Sequence, residues 1–105
     1  MVKGVTKEYI EKLTERITLN IFSVGCDRKN FEILNYIPSK TQDIGKKLDI
    51  TKMPLNKRLN ELEEVGLLKR VKHEGRLERT HLTDKFISIV RMIRDDVLKE
   101  IPNIL

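Results

Sequence analysis

The sequence has little cysteine, glycine, proline or aromatic residue, and it has no long apolar run. Its one cysteine, Cys26, excludes an internal disulfide framework and a multi-cysteine zinc site. No apolar stretch approaches the roughly 18 residues of a membrane span, and MVKGVTKEYIEKLTER lacks the apolar region of a signal peptide. We therefore expect a protein of the reducing cytoplasm with no membrane partner.

Charged and aliphatic residues make up most of what is present. Of the 105 residues, 35% are charged and 39% hydrophobic, which fits one small domain. The net charge is +5, and residues 40–81 hold most of the excess, with eleven basic and seven acidic side chains. A basic band on a small domain favours an anionic partner, nucleic acid first. The alternative is that the surplus only keeps the protein soluble.

Apolar residues at spacings of three and four predict a series of helices. The first runs from Thr6, its N-cap, to about Phe22, and the second from about Asp27 to Tyr36, where Pro38 ends it. A short third helix ends at Leu48. Its cap is either Ser39, in a capping box with Gln42, or Thr41.

The second half of the chain predicts a helix, a hairpin and a last helix. Thr51 caps a helix that runs to about Val65, with Gly66 as its stop signal. Strands follow at 69–73 and 76–82, joined by a two-residue turn at Glu74-Gly75. Thr83 or Asp84 then caps a helix to about Glu100, ended by Pro102.

A short helix, a tight turn and a second helix make a helix-turn-helix unit, and the hairpin after it is a wing. The predicted fold class is therefore mainly α with a small β-hairpin, a winged helix-turn-helix with extra N- and C-terminal dimerisation helices. We expect one domain over residues 1–105. It divides into the N-terminal helix at 1–26, the winged helix-turn-helix at 27–83 and the C-terminal dimerisation helix at 84–105.

The residues that carry this pattern lie in the stretch TQDIGKKLDITKMPLNKRLNELEEVGLLKRVKHEGRLERTHLTD. This stretch resembles the winged helix-turn-helix of the ArsR and MarR-type bacterial and archaeal transcription regulators, and the resemblance covers about residues 27–84. The matching positions are Thr41, Ile44 and Leu48 in the first helix; Ile50-Thr51 in the turn; Leu55, Leu59 and Leu62 in the second helix; the exit Glu64-Val65-Gly66-Leu67-Leu68; and His81-Leu82-Thr83-Asp84 at the end of the wing.

The chain departs from these families in places. The metal-sensing branch of the ArsR group carries a Cys-x-Cys motif on the first helix of the unit, but residues 42–48 contain no cysteine. We therefore expect no metal sensing. Gly45 stands where many relatives place alanine, and Pro54 is unusual early in a recognition helix.

The second helix of the unit has an inward and an outward face. At about 100° per residue, the three leucines Leu55, Leu59 and Leu62 share one face, and the polar residues share another. A winged helix places this outer face in the major groove. The predicted DNA contacts from this helix are Thr51, Lys52, Met53, Asn56, Lys57 and Asn60. The alternative is an ordinary solvated helix face.

The hairpin is predicted to contact the phosphate backbone or the minor groove. The residues expected to do so are Lys72, His73, Arg76 and Arg79. The alternative is a charged, exposed hairpin with no ligand, and the acidic Glu74 and Glu78 weaken the electrostatic case for DNA.

Two terminal helices carry apolar stripes that a chain of this length would struggle to bury. The stripe of the last helix has the spacing of a heptad seam. We therefore predict a homodimer whose interface is formed by Ile10, Leu13, Ile17, Ile21, Phe86, Val90, Ile93 and Val97. In relatives of the ArsR and MarR type, which the chain resembles, terminal helices commonly form the dimer. The alternative is that each stripe packs on its own domain.

No set of residues with catalytic spacing stands out, so we do not expect an enzyme. His73 and His81 have no third ligand nearby in the sequence, and we expect no metal and no cofactor. Cys26 is expected to be a small buried residue at a helix junction, with a redox switch as the alternative. No pocket for a small-molecule effector can be recognised in the sequence.

The first functional hypothesis is a homodimeric regulator of transcription that binds specific double-stranded DNA. A second is a winged-helix protein-interaction module of transcription or replication machinery, and a third is a viral or plasmid DNA-binding protein of the same fold. The polar outer face of Asn56, Lys57 and Asn60 favours DNA, because a docking module should show an apolar patch there.

Overall fold

A computed structural model describes residues 6–104 of the chain. Within them lie five helices and three short strands, so the expectation of a mainly α chain with a small β element is confirmed. In chain order they are α1 (Lys7–Gly25), α2 (Arg28–Tyr36), β1 (Ser39–Lys40), α3 (Thr41–Leu48), α4 (Lys52–Glu64), β2 (Lys69–Val71), β3 (Arg76–Glu78) and α5 (His81–Ile104). Every helix within the described range is too short or too polar to cross a lipid bilayer.

The first two helices begin where the sequence predicts. The Thr6 hydroxyl accepts a hydrogen bond from the Tyr9 amide at 3.1 Å, and the Asp27 carboxylate accepts one from the Asn30 amide at 3.1 Å. Helix α1 extends to Gly25, three residues past the predicted end at Phe22. The prediction that Cys26 is buried is wrong, because its side chain is exposed just after α1.

The small sheet has three antiparallel strands in the order β1-β3-β2, whereas the sequence predicted two. Ser39 pairs with Leu77, and Lys40 with Arg76, so this segment is extended. Both predicted caps of α3 are therefore wrong. The Ser39 hydroxyl donates to the Tyr36 carbonyl at 2.7 Å, the Thr41 hydroxyl donates to the Gly75 carbonyl at 3.2 Å, and the cap position is Lys40.

A tight turn connects α3 to α4. Asp49 adopts a left-handed conformation with φ 53°, and the Ile50 amide donates to the Gly45 carbonyl at 2.9 Å. Thr51 occupies the N-cap position of α4, but its hydroxyl makes no capping hydrogen bond. The next helix end follows the prediction closely: after Glu64 the chain turns at Gly66, whose φ is +84°.

Two backbone hydrogen bonds close the C-terminal end of α4 around Gly66. Its amide donates to the Glu63 carbonyl at 3.0 Å, and the Leu67 amide donates to the Leu62 carbonyl at 2.9 Å. This is a Schellman motif, in which the left-handed residue must bear little or no side chain. Leu62 and Leu67 are both buried, which fits the hydrophobic contact that often accompanies this motif.

Strands β2 and β3 are shorter than predicted. The last pair is Val71 with Arg76, so the connecting turn holds residues 72–75 rather than Glu74-Gly75 alone. Strand β3 ends at Glu78 because α5 starts already at His81. The prediction of a strand over 76–82 is therefore wrong.

Helix α5 is capped by the threonine before it, Thr80, and not by either residue predicted. The Thr80 hydroxyl accepts from the amides of Leu82 and Thr83 at 3.2 and 3.3 Å. Thr83 is instead buried and donates to the Leu67 carbonyl at 2.6 Å, which attaches α5 to the exit from α4. Pro102 does not end the helix. It lies in the exposed last turn, where water can replace the backbone bond that proline removes.

The core lies between α2, α3, α4, the sheet and the first turns of α5. Its buried apolar residues are Ile33, Leu34, Ile37, Ile44, Leu55, Leu59, Leu62, Leu67, Leu68, Leu77, Phe86 and Ile87. Helix α1 joins this core only at its C-terminal end, through Gly25 and partly buried neighbours. A Cβ added at Gly25 would lie 2.5 Å from the Phe86 ring, so glycine permits the close approach of α1 to α5.

Candidate nucleic-acid interface

The N-terminal half of α4 faces outward beside α3. Its three leucines are buried beneath the helix, as the spacing predicts. Thr51, Lys52, Lys57 and Asn60 are exposed, and Asn56 is half-buried. Met53 is 82% exposed, an unusual degree for a large apolar side chain. The structure therefore places the six predicted contacts of this helix on the surface.

An open groove runs between α3 and the start of α4. Two predicted contacts, Lys52 and Asn56, lie along it, together with Gln42 and Lys46 of α3, which were not predicted. Gln42 and Lys46 are one helical turn apart, opposite the buried Ile44, so their shared outward face was present in the sequence as a spacing of four. They add a donor and a positive charge to this surface.

The turn of the β2–β3 hairpin is fastened to the start of α3. The Gly75 carbonyl accepts from the Thr41 amide at 2.9 Å and from the Thr41 hydroxyl at 3.2 Å. Lys72, His73 and Arg76 are exposed around this turn. These two bonds hold Lys72 and Arg76 of the hairpin next to the N-terminus of α3.

Arg79 differs from the other predicted hairpin contacts because its side chain is partly buried and bonded within the fold, and its assignment as a phosphate contact stays a prediction. Its Nε donates to the Ile37 carbonyl at 2.6 Å, and its Nη1 bonds Asp84 at 2.6 Å. These contacts hold the end of β3 to the segment after α2 and to the first turn of α5. Asp84 balances the charge of this guanidinium near the surface, and the Arg79 side chain remains 31% exposed.

Arg58 fastens α4 to the start of α2. Its Nη1 donates to the Asp27 carboxylate at 2.6 Å and to the Asn30 side-chain oxygen at 3.1 Å. Asn30 is buried, and its side-chain NH₂ group donates to the Val24 carbonyl at 2.9 Å. The Asn30 backbone N–H, and then the Arg58 charge, hold the pKa of Asp27 below its ordinary value against the opposing effect of burial.

Arg70 fastens the other side of α4 to the hairpin. Its Nη2 donates to the Asn60 side-chain oxygen at 2.7 Å and lies 3.3 Å from the Asn56 carbonyl. Glu63 is 3.7 Å from its Nε. Arg58 joins α4 to the start of α2, and Arg70 joins it to β2, so α4 is fixed by polar contacts on two sides of its buried leucine face. Neither clamp was recognised from the sequence.

The charges around the groove are mostly positive. No acidic residue occurs between Asp49 and Glu61, a span that includes the exposed cations Lys52 and Lys57. The first turn of α4 also has the backbone N–H groups of Lys52 and Met53, which favour anions, whereas Pro54 in the same turn has none. Asp49 lines the groove itself together with Lys46 and Lys52, and it reduces the positive potential there.

The predicted dimer residues divide into exposed and buried positions. Ile10, Leu13 and Ile17 of α1 are exposed, as are Ile93 and Val97 of α5. Ile21 and Val90 are partly buried against the core. Phe86 is 3% exposed and packs on the rings of Phe22 and Phe31, at centroid distances of 5.3 and 6.2 Å. Assigning Phe86 to the seam between chains is therefore corrected: it belongs to the chain's own core.

Among the described residues, no three His, Cys, Asp or Glu side chains converge as metal ligands would. Comparisons of the chain with models of protein families, with curated proteins and with solved structures find no match.

Proposed function

We propose that residues 27–83 form a winged helix-turn-helix and that the chain is a homodimeric transcriptional regulator that binds specific double-stranded DNA. In this proposal α3 and α4 are the helix-turn-helix, α4 is the recognition helix in the major groove, and the β2–β3 hairpin is the wing. Such a regulator would act where the DNA is, in the cytoplasm of a bacterium or archaeon.

One observation carries the proposal most strongly. The exposed N-terminal half of α4 contains no acidic residue, and it lies beside a groove and a hairpin that add Lys46, Lys72 and Arg76. A phosphate backbone selects for such a surface, because each cation that neutralises a phosphate releases a bound counterion. Asn56 adds an amide suited to reading an adenine edge, and the exposed Met53 can contact a thymine methyl.

The two terminal helices support the dimer. An isolated chain leaves Ile10, Leu13 and Ile17 of α1 and Ile93 and Val97 of α5 open to water. A second copy is the natural cover, because self-complementary apolar seams pair in a two-fold arrangement. A two-fold dimer would then favour two half-sites about one helical turn of DNA apart.

The protein-interaction module remains a second candidate because of Met53. An apolar side chain this exposed at the tip of α4 also suits a protein groove. The polar residues that surround Met53 favour DNA over this alternative.

The experiment is a selection of bound sites from random duplex DNA, followed by binding to the selected duplex across a salt series. Asn56→Ala should weaken binding by about 1–3 kcal/mol and relax the preference at one base pair. Arg76→Ala should weaken all sequences alike and lower the salt slope by about one.

Lys99→Ala is the matched control, since Lys99 is an exposed cation near the far end of α5. It should bind like the wild type. Binding that does not depend on salt, or two variants that behave like this control, would overturn the proposal in favour of a docking module.

A further inference from the structure

The start of α2 lies beside the N-terminal half of α4. Arg58 of α4 bonds the Asp27 carboxylate at 2.6 Å and the Asn30 side-chain oxygen at 3.1 Å, so the two helices are joined there. An open cleft between them is lined by Asp27 on one side and by Met53 and Lys57 of α4 on the other. The part of α4 that is proposed to enter the major groove therefore has α2 as an immediate neighbour.

Two exposed cations, Arg28 and Lys29, lie in the first turn of α2, directly after Asp27. Neither was predicted as a DNA contact. The charge of Asp27 is balanced by Arg58. Lys29 lies 3.8 Å from the Glu32 carboxylate, whereas Arg28 makes no ion pair within residues 6–104. Arg28 is therefore the cation at this end of α2 that is most available to an anionic ligand.

Helices α2 and α3 border opposite flanks of α4. At about 100° per residue, Arg58, which faces α2, lies about 200° round the helix from Asn56. Asn56 lines the groove that α4 shares with Lys46 of α3. The exposed Met53 and Lys57 lie on the outer ridge of α4 between these two flanks. A cation of α2 and a cation of α3 thus lie on either side of this ridge.

The dimensions of DNA give this arrangement a meaning. An α-helix with its side chains is about 10–12 Å across, and the major groove of B-DNA is about 12 Å wide. A helix that lies in the groove therefore fills it, and the protein on its two flanks faces the two phosphate backbones that border the groove. These two backbones belong to opposite strands of the duplex.

We infer that Arg28 binds a phosphate of the DNA strand opposite to the strand that Lys46 contacts, so that α4 is held in the major groove from both sides. This inference rests on the proposed function, and it adds α2 to the DNA-binding surface. A phosphate contact of this kind fixes the position of the protein on the duplex and carries no base preference.

The test replaces single phosphates of the selected duplex by neutral methylphosphonates, one linkage at a time on each strand of one half-site. The affinity of the wild type should fall at every contacted phosphate. Arg28→Ala should lose its sensitivity to replacement on one strand, and Lys46→Ala should lose it on the other strand. Arg28→Ala should also lower the salt slope by about one and leave the base preferences unchanged.

Two further variants separate a phosphate contact from a general structural effect. Arg28→Lys keeps the positive charge, so it should retain both the phosphate sensitivity and the salt slope of the wild type. Lys99→Ala removes an exposed cation from the outer part of α5, and it should also show the wild-type profile.

The outcomes are separable from those of the proposed function. A wild type that binds no duplex overturns both proposals. A wild type that binds, with an Arg28→Ala variant that keeps every phosphate sensitivity and the full salt slope, overturns only the role of Arg28. Sensitivities of Arg28 and Lys46 that lie on the same strand also overturn it. If Arg28→Ala does not fold by circular dichroism, the wild type decides: contacted phosphates on only one strand of the half-site overturn the inference.

Discussion

The middle of the chain buries most of its apolar side chains, whereas the two terminal helices leave many of theirs exposed. From α2 to the first turns of α5, most of the inward-facing leucines and isoleucines are buried, with Leu59 at 1% exposure. On α1 and the outer half of α5, apolar residues with the same helical spacing are open to solvent, with Ile17 at 52%, Ile93 at 56% and Val97 at 51%. The same periodicity thus has two different outcomes in one molecule.

The difference shows that one chain completes its core without most of either terminal stripe. Helical spacing reports that a face is apolar, but it does not tell whether the face packs on its own chain or on another. Phe86 and Ile93 illustrate this on one helix. Phe86 lies against α1 and α2 and is buried, whereas Ile93 lies two turns further out, beyond the reach of the core.

The largest expected effect comes from placing charge on the seam, which is the exposed apolar stripe of α5 formed by Ile93 and Val97. Ile93→Glu plus Val97→Glu should dissociate the homodimer, because burying unpaired carboxylates costs several kcal/mol each. Light scattering at micromolar concentration should show the mass of two chains for the wild type and of one chain for the variant. Met92→Glu plus Leu98→Glu is the matched control, since both residues are exposed apolar side chains off the seam, and it should remain a dimer. A wild type with the mass of one chain contradicts the dimer.

A smaller effect separates the two kinds of stripe by stability. Leu59→Ala should lower the free energy of unfolding by about 2–5 kcal/mol, because it opens a cavity in the core. This loss should be the same at low and high protein concentration. Ile17→Ala should cost little at low concentration and more at high concentration, because it weakens association rather than the monomer. The measurement is urea unfolding at two protein concentrations. If the effect of Ile17→Ala does not depend on protein concentration, the α1 stripe packs within the single chain.

The smallest effect concerns the polar clamp between α2 and α4. The pKa of Asp27 is lower in the folded chain than its ordinary value, so the carboxylate stabilises the fold above the ordinary pKa. This stabilisation is lost as the pH falls through the lowered value. Asp27→Asn keeps a capping oxygen but cannot ionise. The stability difference between wild type and variant, from urea unfolding, should be larger at neutral pH than in strong acid; an equal difference at both would contradict this role.

The helices of the middle region could be predicted because their signals are local. Stripes at spacings of three and four mark α2, α3 and α4, and Gly66 marks the end of α4 within two residues. Strand β1 could not be predicted in this way. Ser39 and Lys40 carry no alternation, and they are extended only because β3, more than thirty residues later, pairs with them.

The same distance along the chain limits what could be predicted of the site. The exposure of Lys52, Met53, Lys57 and Arg76 follows from local spacing. The engagement of arginines does not: Arg58 meets Asp27 across 31 positions, and Arg79 meets Ile37 across 42. A run of basic residues therefore overstates the charge that is free to bind a ligand, and the packed fold decides which cations remain available.

The central claim is that the polar surface of α3, α4 and the hairpin binds DNA while the apolar stripes bind the second copy. Titration of the ¹⁵N-labelled protein with the selected duplex, followed by amide NMR shifts, tests it most directly. The account predicts that shifts concentrate in residues 41–57 and 72–76, decline with added salt, and leave α1 and residues 92–103 nearly unchanged. Shifts centred on α1 and the outer half of α5, with the groove and hairpin unaffected, would contradict it.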